Sequence, residues 1–344
     1  MPGKVKVNGT WQDVSAASVK VNGTWKDVKE AYSKVNGTWQ LWLQSLPTVT
    51  GGSVFTVDGY VYRVFTFSST LTVSDAPLDC EVMVIGGGGG GGNQYTVNIW
   101  NNGGGGGAGR FSVNSLTIQP NSYTCTVGAG GAASANGNNT FIGSLIGAGG
   151  GGSGGDANIA GSNGVVYSSS SDQGSGGGGG YDAWVAFPEA RPGGSGQTTG
   201  GTSDGFTSGG GGGATQGGQN GSSGFALAGQ GGNGNSSYST WALATNTGVS
   251  GAYAGGGGGG VFDNTGSSLQ EGKGNDGGGD GAFTRNEVYG NSPFPSTSGL
   301  ANTGGGGGGG AYYEDSNNNQ FDDAPASGGG SGLIIIRYPE GTAA

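Results

Sequence analysis

Seven uninterrupted glycine runs, the longest being Gly86 to Gly92 and Gly304 to Gly310, divide this 344-residue chain into bare backbone alternating with aromatic, polar inserts. A run without side chains packs only through its peptide groups. Fixing a glycine costs about 0.5–1 kcal/mol more than fixing an alanine, and a backbone hydrogen bond returns about 0.5–1.5 kcal/mol. The runs are therefore either unstructured or hydrogen-bonded at nearly every peptide. A polyproline-II-type helix has three residues per turn and points its N–H and C=O groups outward, so side-chain-free copies bond one another on every side. In that form a seven-residue run extends about 22 Å.

Composition by itself leans towards disorder, since glycine and proline make up 98 of the 344 residues. The flanks lean the other way. Glu81-Val82-Met83-Val84-Ile85 leads straight into the first run, and Leu333-Ile334-Ile335-Ile336-Arg337-Tyr338 closes the region. Apolar stretches bounded by glycine read as buried strands. Further strands are predicted at Val54 to Val57, Tyr60 to Phe67, Leu71 to Val73, Phe111 to Ile118, Tyr123 to Val127 and Thr140 to Ile146, with a hairpin turn at Asp58-Gly59. Cys80 alternates with Val82 and Val84, and Cys125 with Tyr123 and Val127, which directs both thiols into a sheet core, where a free buried thiol outweighs the alternative of a bridge. The fold class that follows is all-β with a polyglycine-II helix array. Residues 47–85, 110–146 and 332–340 form a small antiparallel β-domain, interleaved with a glycine-rich body over 86–331.

Ahead of these lies a 14-residue repeat: Val-Asn-Gly-Thr-Trp recurs at Val7 to Trp11, Val21 to Trp25 and Val35 to Trp39. Asn-Gly between short alternating runs signals a type I′ hairpin, because both central residues tolerate positive φ. Residues 1–46 thus read as three hairpins, each with a tryptophan just after its turn. Single hairpins are marginal in water. Trp11, Trp25, Trp39 and Trp42 are accordingly candidates for anchoring the chain to a larger assembly, the alternative being a self-contained β-ribbon. Turn chemistry accounts for the Asn-Gly-Thr triplets without glycosylation.

The inventory excludes most chemistries. Twelve cationic side chains against twenty-two carboxylates, a net charge of -10, form no basic patch and argue against nucleic acid. No apolar stretch reaches 18 residues, and the N-terminus lacks the apolar core of a secretory signal, so the expectation is a protein neither inserted in a membrane nor conventionally exported. With no histidine, the usual general base, the nucleophile-histidine systems and most catalytic zinc sites are absent. Glu314, Asp315, Asp322 and Asp323 lie together in one polar insert without a supporting cleft, and no enzymatic activity or cofactor is expected. Asp315, Asn317 and Asn319 have the spacing of early calcium-loop ligands, but Gln320 and Ala326 stand where that loop needs glycine and glutamate. Gly272-Lys273-Gly274-Asn275-Asp276 is similar to one calcium β-roll repeat, and such repeats bind only when stacked. Both read as solvated acidic loops, and no metal site is expected.

Tyr62 to Phe67, Leu71 to Val73, Glu81 to Ile85 running into Gly86, and the closing Gly332 to Pro339 resemble the glycine-rich domain of tailed-bacteriophage tail fibres and minor tail proteins. The Asn-Gly-Thr-Trp repeats are similar to tryptophan-punctuated repeats in phage structural proteins. The chain departs from those adhesins in lacking a C-terminal chaperone or protease segment. The resemblance implies a virion tail protein made in the host cytoplasm. It would bind other tail proteins through its N-terminal repeats, with a homotrimer as one compatible assembly, and meet a glycan or protein receptor on the host surface through loops between packed polyglycine helices. Aromatic side chains amid Asn, Ser, Thr and Gln suit such contacts. The receptor-binding candidates are Tyr95, Trp100, Tyr167, Trp184, Tyr238, Trp241, Tyr289, Phe294, Tyr312 and Tyr313. The same rings could instead fold back to cap the glycine layers. A purely structural role, as a capsid decoration, head fibre or tail spacer, is the alternative function. An ice-binding face is disfavoured by the irregular, bulky inserts.

Overall fold

The computed structural model describes every residue except 1–3, 8–9, 14–16, 29, 95–99, 158, 183–190, 205–206, 223–226, 264–269, 286–293, 315–320 and 344. The chain opens with three separate two-stranded sheets. They pair β1 (Lys4–Val7) with β2 (Thr10–Asp13), β3 (Ser18–Val21) with β4 (Thr24–Asp27), and β5 (Glu30–Val35) with β6 (Thr38–Gln44). Asn22 and Gly23 take φ of 48° and 83°, and Asn36 and Gly37 take 49° and 88°, the left-handed pair that a type I′ turn needs. The register repeats as well, with Lys6 opposite Trp11, Lys20 opposite Trp25 and Lys34 opposite Trp39.

Next come β7 (Thr48–Thr50), β8 (Ser53–Val57), β9 (Tyr60–Phe65), β10 (Ser69–Ser74) and β11 (Leu78–Ile85). After the short β12 (Trp100–Asn102) follow β13 (Phe111–Ile118), β14 (Asn121–Thr126), β15 (Thr140–Ile142) and β16 (Ile146–Ala148). The glycine-rich stretch then carries β17 (Tyr181–Asp182), the helix α1 (Ser239–Thr245), β18 (Val261–Asp263), β19 (Phe283–Arg285), β20 (Ala311–Glu314) and β21 (Phe321–Ala324), before β22 (Leu333–Pro339) returns. Two five-stranded sheets, ordered β16-β15-β14-β10-β7 and β13-β11-β22-β9-β8, face each other as a sandwich. Val49, Leu71, Val73, Val82, Val84, Ile142, Ile334 and Ile336 fill the space between them, together with the free, buried Cys80 and Cys125.

The second sheet is covered on its outer face too. Tyr62, Val64, Met83, Ile85, Leu333 and Ile335 pack there against Trp241, Ala242, Tyr253 and Ala254, so β11 and β22 are apolar at nearly every position. A strand buried on both sides has no polar face to alternate with. Two expectations are corrected. Thr140 to Ile146 is two short strands turned at Gly143 (φ 48°), and the strand from Tyr60 stops at Phe65, leaving Phe67 71% exposed. Helix α1 was not anticipated, because a seven-residue segment is too short for a helical period to register.

The glycine runs stand on a threefold pattern. Gly86, Gly89 and Gly92 donate to Arg110, Gly107 and Gly104; Gly87 and Gly90 donate to Asn138 and Ala135; Gly88 and Gly91 donate to Gly330 and Ser327. Every third peptide thus addresses the same neighbour, which is the signature of a polyglycine-II helix with three residues per turn. The run at Gly103 to Gly109 lies at the centre. Its N–H groups reach runs 304–310, 149–155 and 209–212, and its carbonyls accept from runs 86–92, 175–178 and 257–260, making six neighbours in all. A Cβ built on Gly106 would lie 2.1 Å from the Gly89 carbonyl oxygen, whereas Ala108 in the same run turns its methyl into the apolar cluster under the sheet.

At the borders of the array, side chains replace the missing run. Asn136 and Asn139 accept the N–H groups of Ser153 (2.8 Å) and Gly150 (3.0 Å), and Asn163 and Asn220 accept those of Ser195 and Thr202 (both 2.9 Å). Inside it, the buried Ser208 hydroxyl lies 2.8 Å from the Gly103 carbonyl and 2.7 Å from that of Gly260. No described helix is long and apolar enough to cross a membrane.

Candidate functional site

Run direction decides which inserts meet. Runs that start beside the sandwich at Gly86, Gly149, Gly255 and Gly304 end at the opposite pole of the array. At one axial height there, Gly92 donates to Gly104 (2.8 Å), Gly103 to Gly310 (2.8 Å), Gly104 to Gly155 (2.9 Å) and Gly260 to Gly103 (3.0 Å). Beyond this level the emerging chain pairs as short strands. β12 lies between β17 and β20, and β20 pairs with β21; β18 runs parallel to β19.

The inner tier of this pole is a closing plate. Tyr181 (5% exposed), Phe262 (1%), Phe283 (6%) and Tyr312 (2%) bury their rings, and Asn101, Asn102, Asp263 and Thr284 are buried among them. Tyr312 is therefore withdrawn from the surface role expected of it, because the glycine layers below offer no side chains to exclude water. Phe294 is exposed at 57% with its ring 6.1 Å from Phe283, so one face is free. Trp100 and Tyr313 are direct cross-strand partners in β12 and β20. Tyr95, Trp184 and Tyr289 lie outside the described residues, but the described residues flanking them sit at this same pole.

The other three candidates are at the sandwich end. Trp241 is 2% exposed and meets Tyr62 and Tyr238 edge-on at 6.0 and 5.5 Å, with the Arg337 guanidinium 4.6 Å from its ring. Tyr238 also packs on Phe111 at 5.7 Å. Tyr167 stacks on Phe141 at 5.5 Å and donates its hydroxyl to the Gly143 carbonyl at 3.0 Å. All three rings are engaged in packing, and the surface role expected of Trp241 is corrected by its burial. Tyr253 went unnoticed in the sequence although it is fully buried; its hydroxyl lies 2.6 Å from that of Thr247, and burial pushes its ionisation up. A tyrosine beside Ala254 and a glycine run was the one signal of it.

Two of the carboxylates weighed for chemistry or calcium, Asp276 and Asp323, have described side-chain partners. Asp276 accepts the Gly234 N–H at 2.8 Å, and Asp280 accepts the Gly274 N–H at 2.9 Å and pairs with Lys273 at 3.0 Å, so this acidic loop caps a run. Gln94 donates to Asp323, while Asp315, Asn317 and Asn319 lie outside the described residues. Among the described residues no cluster of His, Cys, Asp and Glu could hold a metal ion. Burial pushes the Cys80 and Cys125 thiols up to about 12, which keeps them protonated and inert.

A second candidate surface is the hairpin region. Trp25 and Trp39 are 67% and 66% exposed, each with a lysine ammonium 5.9 Å from its ring. Trp11 and Trp42 occupy strands β2 and β6.

Residues 65–339 match the family described as Glycine-rich domain, a span running from the end of β9 to the end of β22. No curated protein matches the chain.

Proposed function

The chain belongs to the glycine-rich domain family, and on that premise we propose that it is a bacteriophage tail protein that recognises the host cell surface. The observation that carries the reading is that the described ends of four inserts, residues 93–94 with 100–102, 181–182, 283–285 with 294, and 311–314 with 321–324, meet at the pole remote from the sandwich. The buried tier there supplies a rigid base, and the parts of the inserts beyond it supply the contact. Aromatic rings set among Asn, Ser and Gln give flat apolar area with hydrogen-bonding neighbours, a composition suited to a glycan or protein receptor. The exposed tryptophans of the hairpins fit attachment to other virion proteins, and the activity is binding without covalent chemistry.

A structural role, as capsid decoration, head fibre or tail spacer, is favoured by one observation: Tyr181, Phe283 and Tyr312 are used in closing the array. Immunogold labelling of particles from the source culture separates the two. Gold at the tail tip is expected, together with loss of cell binding when 311–326 is exchanged for a glycine-serine linker. Gold on the head, or on no particle, overturns the receptor reading.

A further inference from the structure

One edge of the sandwich is left open in a way the hairpins fit. Among the described strands, β13 ends its sheet and pairs with β11 alone. In an antiparallel ladder alternate residues turn their backbone groups away from the partner. Phe111 is one of these, since its N–H goes to the Gln197 side chain at 3.2 Å, so Val113, Ser115 and Thr117 present their N–H and C=O groups outward. The strand Phe-Ser-Val-Asn-Ser-Leu-Thr-Ile carries no charge and no proline, the usual guards of an exposed edge. Clefts flank it on both sides. One of about 450 Å³ is bordered by Asp79, Glu81 and Arg337, and one of about 490 Å³ by Leu145, Ile146 and Asp172; Ser115 and Leu116 line both. An edge with a cleft on either side is the geometry for adding an extended strand with alternating side chains.

We propose that the occupant is a hairpin strand from a second copy of this chain. Ser18-Val19-Lys20-Val21 is the best described of three equivalent strands, exposed along its whole length and paired in a two-stranded sheet with β4. Across a two-residue turn the flanking residues bond each other, so Val19 and Val21 face β4 with their backbone groups and Lys20 turns its own outward. Lys20 placed opposite Ser115 joins two outward positions. Its side chain then lies on the face of Asp79 and Glu81, the cross-strand partner of Ser115 that already pairs with Arg337, while Val19 and Val21 fall beside Asn114 and Leu116 on the apolar side. Charge agrees: residues 1–46 hold six lysines against three carboxylates, whereas residues 47–344 hold six cationic side chains against nineteen. The hairpins join the sandwich through β7, the edge opposite β16, and it is β16 that borders the β13 cleft. Docking in trans is head to tail, a contact that builds rings or filaments. The inference does not depend on the distal loops meeting a receptor.

Sedimentation of the full chain across concentrations tests it. Species larger than a monomer are expected, weakening with salt because the contact is charge-assisted. The triple variant Lys6→Glu, Lys20→Glu, Lys34→Glu, which leaves the sandwich untouched, shifts the midpoint at least about tenfold upward. Ser115→Pro, which removes an N–H that points away from β11, does the same. Mixing a Lys20→Cys copy with a Ser115→Cys copy yields a disulfide-linked dimer, since directly paired residues lie within bridging distance. A monomer at every concentration, assembly indifferent to both sets of variants, or a cross-link that forms only within one doubly substituted chain overturns the proposal. Cell binding read on the same variants keeps this result separate from the receptor question.

Discussion

The sandwich and the glycine array hold themselves together by opposite means. In the sandwich, the two sheets meet through Leu71, Val82, Ile334 and their neighbours, and backbone bonds run within each sheet. In the array there is no interlayer of side chains, and the backbone bonds run between runs in every lateral direction. The first arrangement is vulnerable to losing volume and the second to gaining it. Glycine at the array's centre is thus a packing residue in the sense that isoleucine is in the sandwich.

The sharpest way to break this contrast is Gly106→Ala. The added methyl meets the Gly89 carbonyl at 2.1 Å with no rotamer to escape into, and a loss of about 3 kcal/mol or more is expected in denaturant unfolding. An effect below about 1 kcal/mol would mean the runs slide freely, and the contrast would fail. Ile335→Ala, emptying a fully buried site between the sheet and α1, is expected to cost about 2–5 kcal/mol in the same assay.

Ser208→Ala sharpens the comparison at intermediate size. It leaves the array's bonds intact but removes a buried donor shared by two carbonyls, a loss of about 1–3 kcal/mol by thermal unfolding. The pH response should localise to the sandwich. The folded pKa of Cys80 and Cys125 is raised from 9.0 to about 12, so the stability their burial contributes is complete below pH 9 and is lost as pH rises from there through 12. Replacing both by alanine should flatten that decline, and an unchanged decline would assign it elsewhere. Smallest of all, Asn220→Ala removes one border acceptor and should cost about 0.5–1.5 kcal/mol, read as faster amide exchange at Thr202.

Much of the sandwich was legible in the amino-acid sequence. Asn22-Gly23, Asn36-Gly37 and Asp58-Gly59 each take the positive φ that their turn chemistry demands, and β11 and β22 lie where unbroken apolar stretches meet glycine. The mutual bonding of the runs was legible as one of two alternatives, the other being a disordered chain whose peptides bond to water. The assignment of inserts to poles was not. Tyr167 and Trp241 differ from Trp100 and Tyr313 in nothing local; what separates them is whether the stretch just before them runs away from the sandwich or back to it, as residues 161–165 do along Gly150 to Ser153 ahead of Tyr167, a sum over all earlier reversals. The border asparagines were opaque for a related reason. Asn163 caps Ser195 and Asn220 caps Thr202 across a register that exists only once neighbouring runs have aligned.

The six-sided bonding of Gly103 to Gly109 also has a mechanical meaning. Tension along the run axis would load its lateral hydrogen bonds in shear, all together, instead of unzipping them one at a time from an end. A pull transmitted from the distal inserts to the sandwich would meet a short, stiff rod whose rigidity resides in peptide groups. The inserts can vary in sequence without softening it.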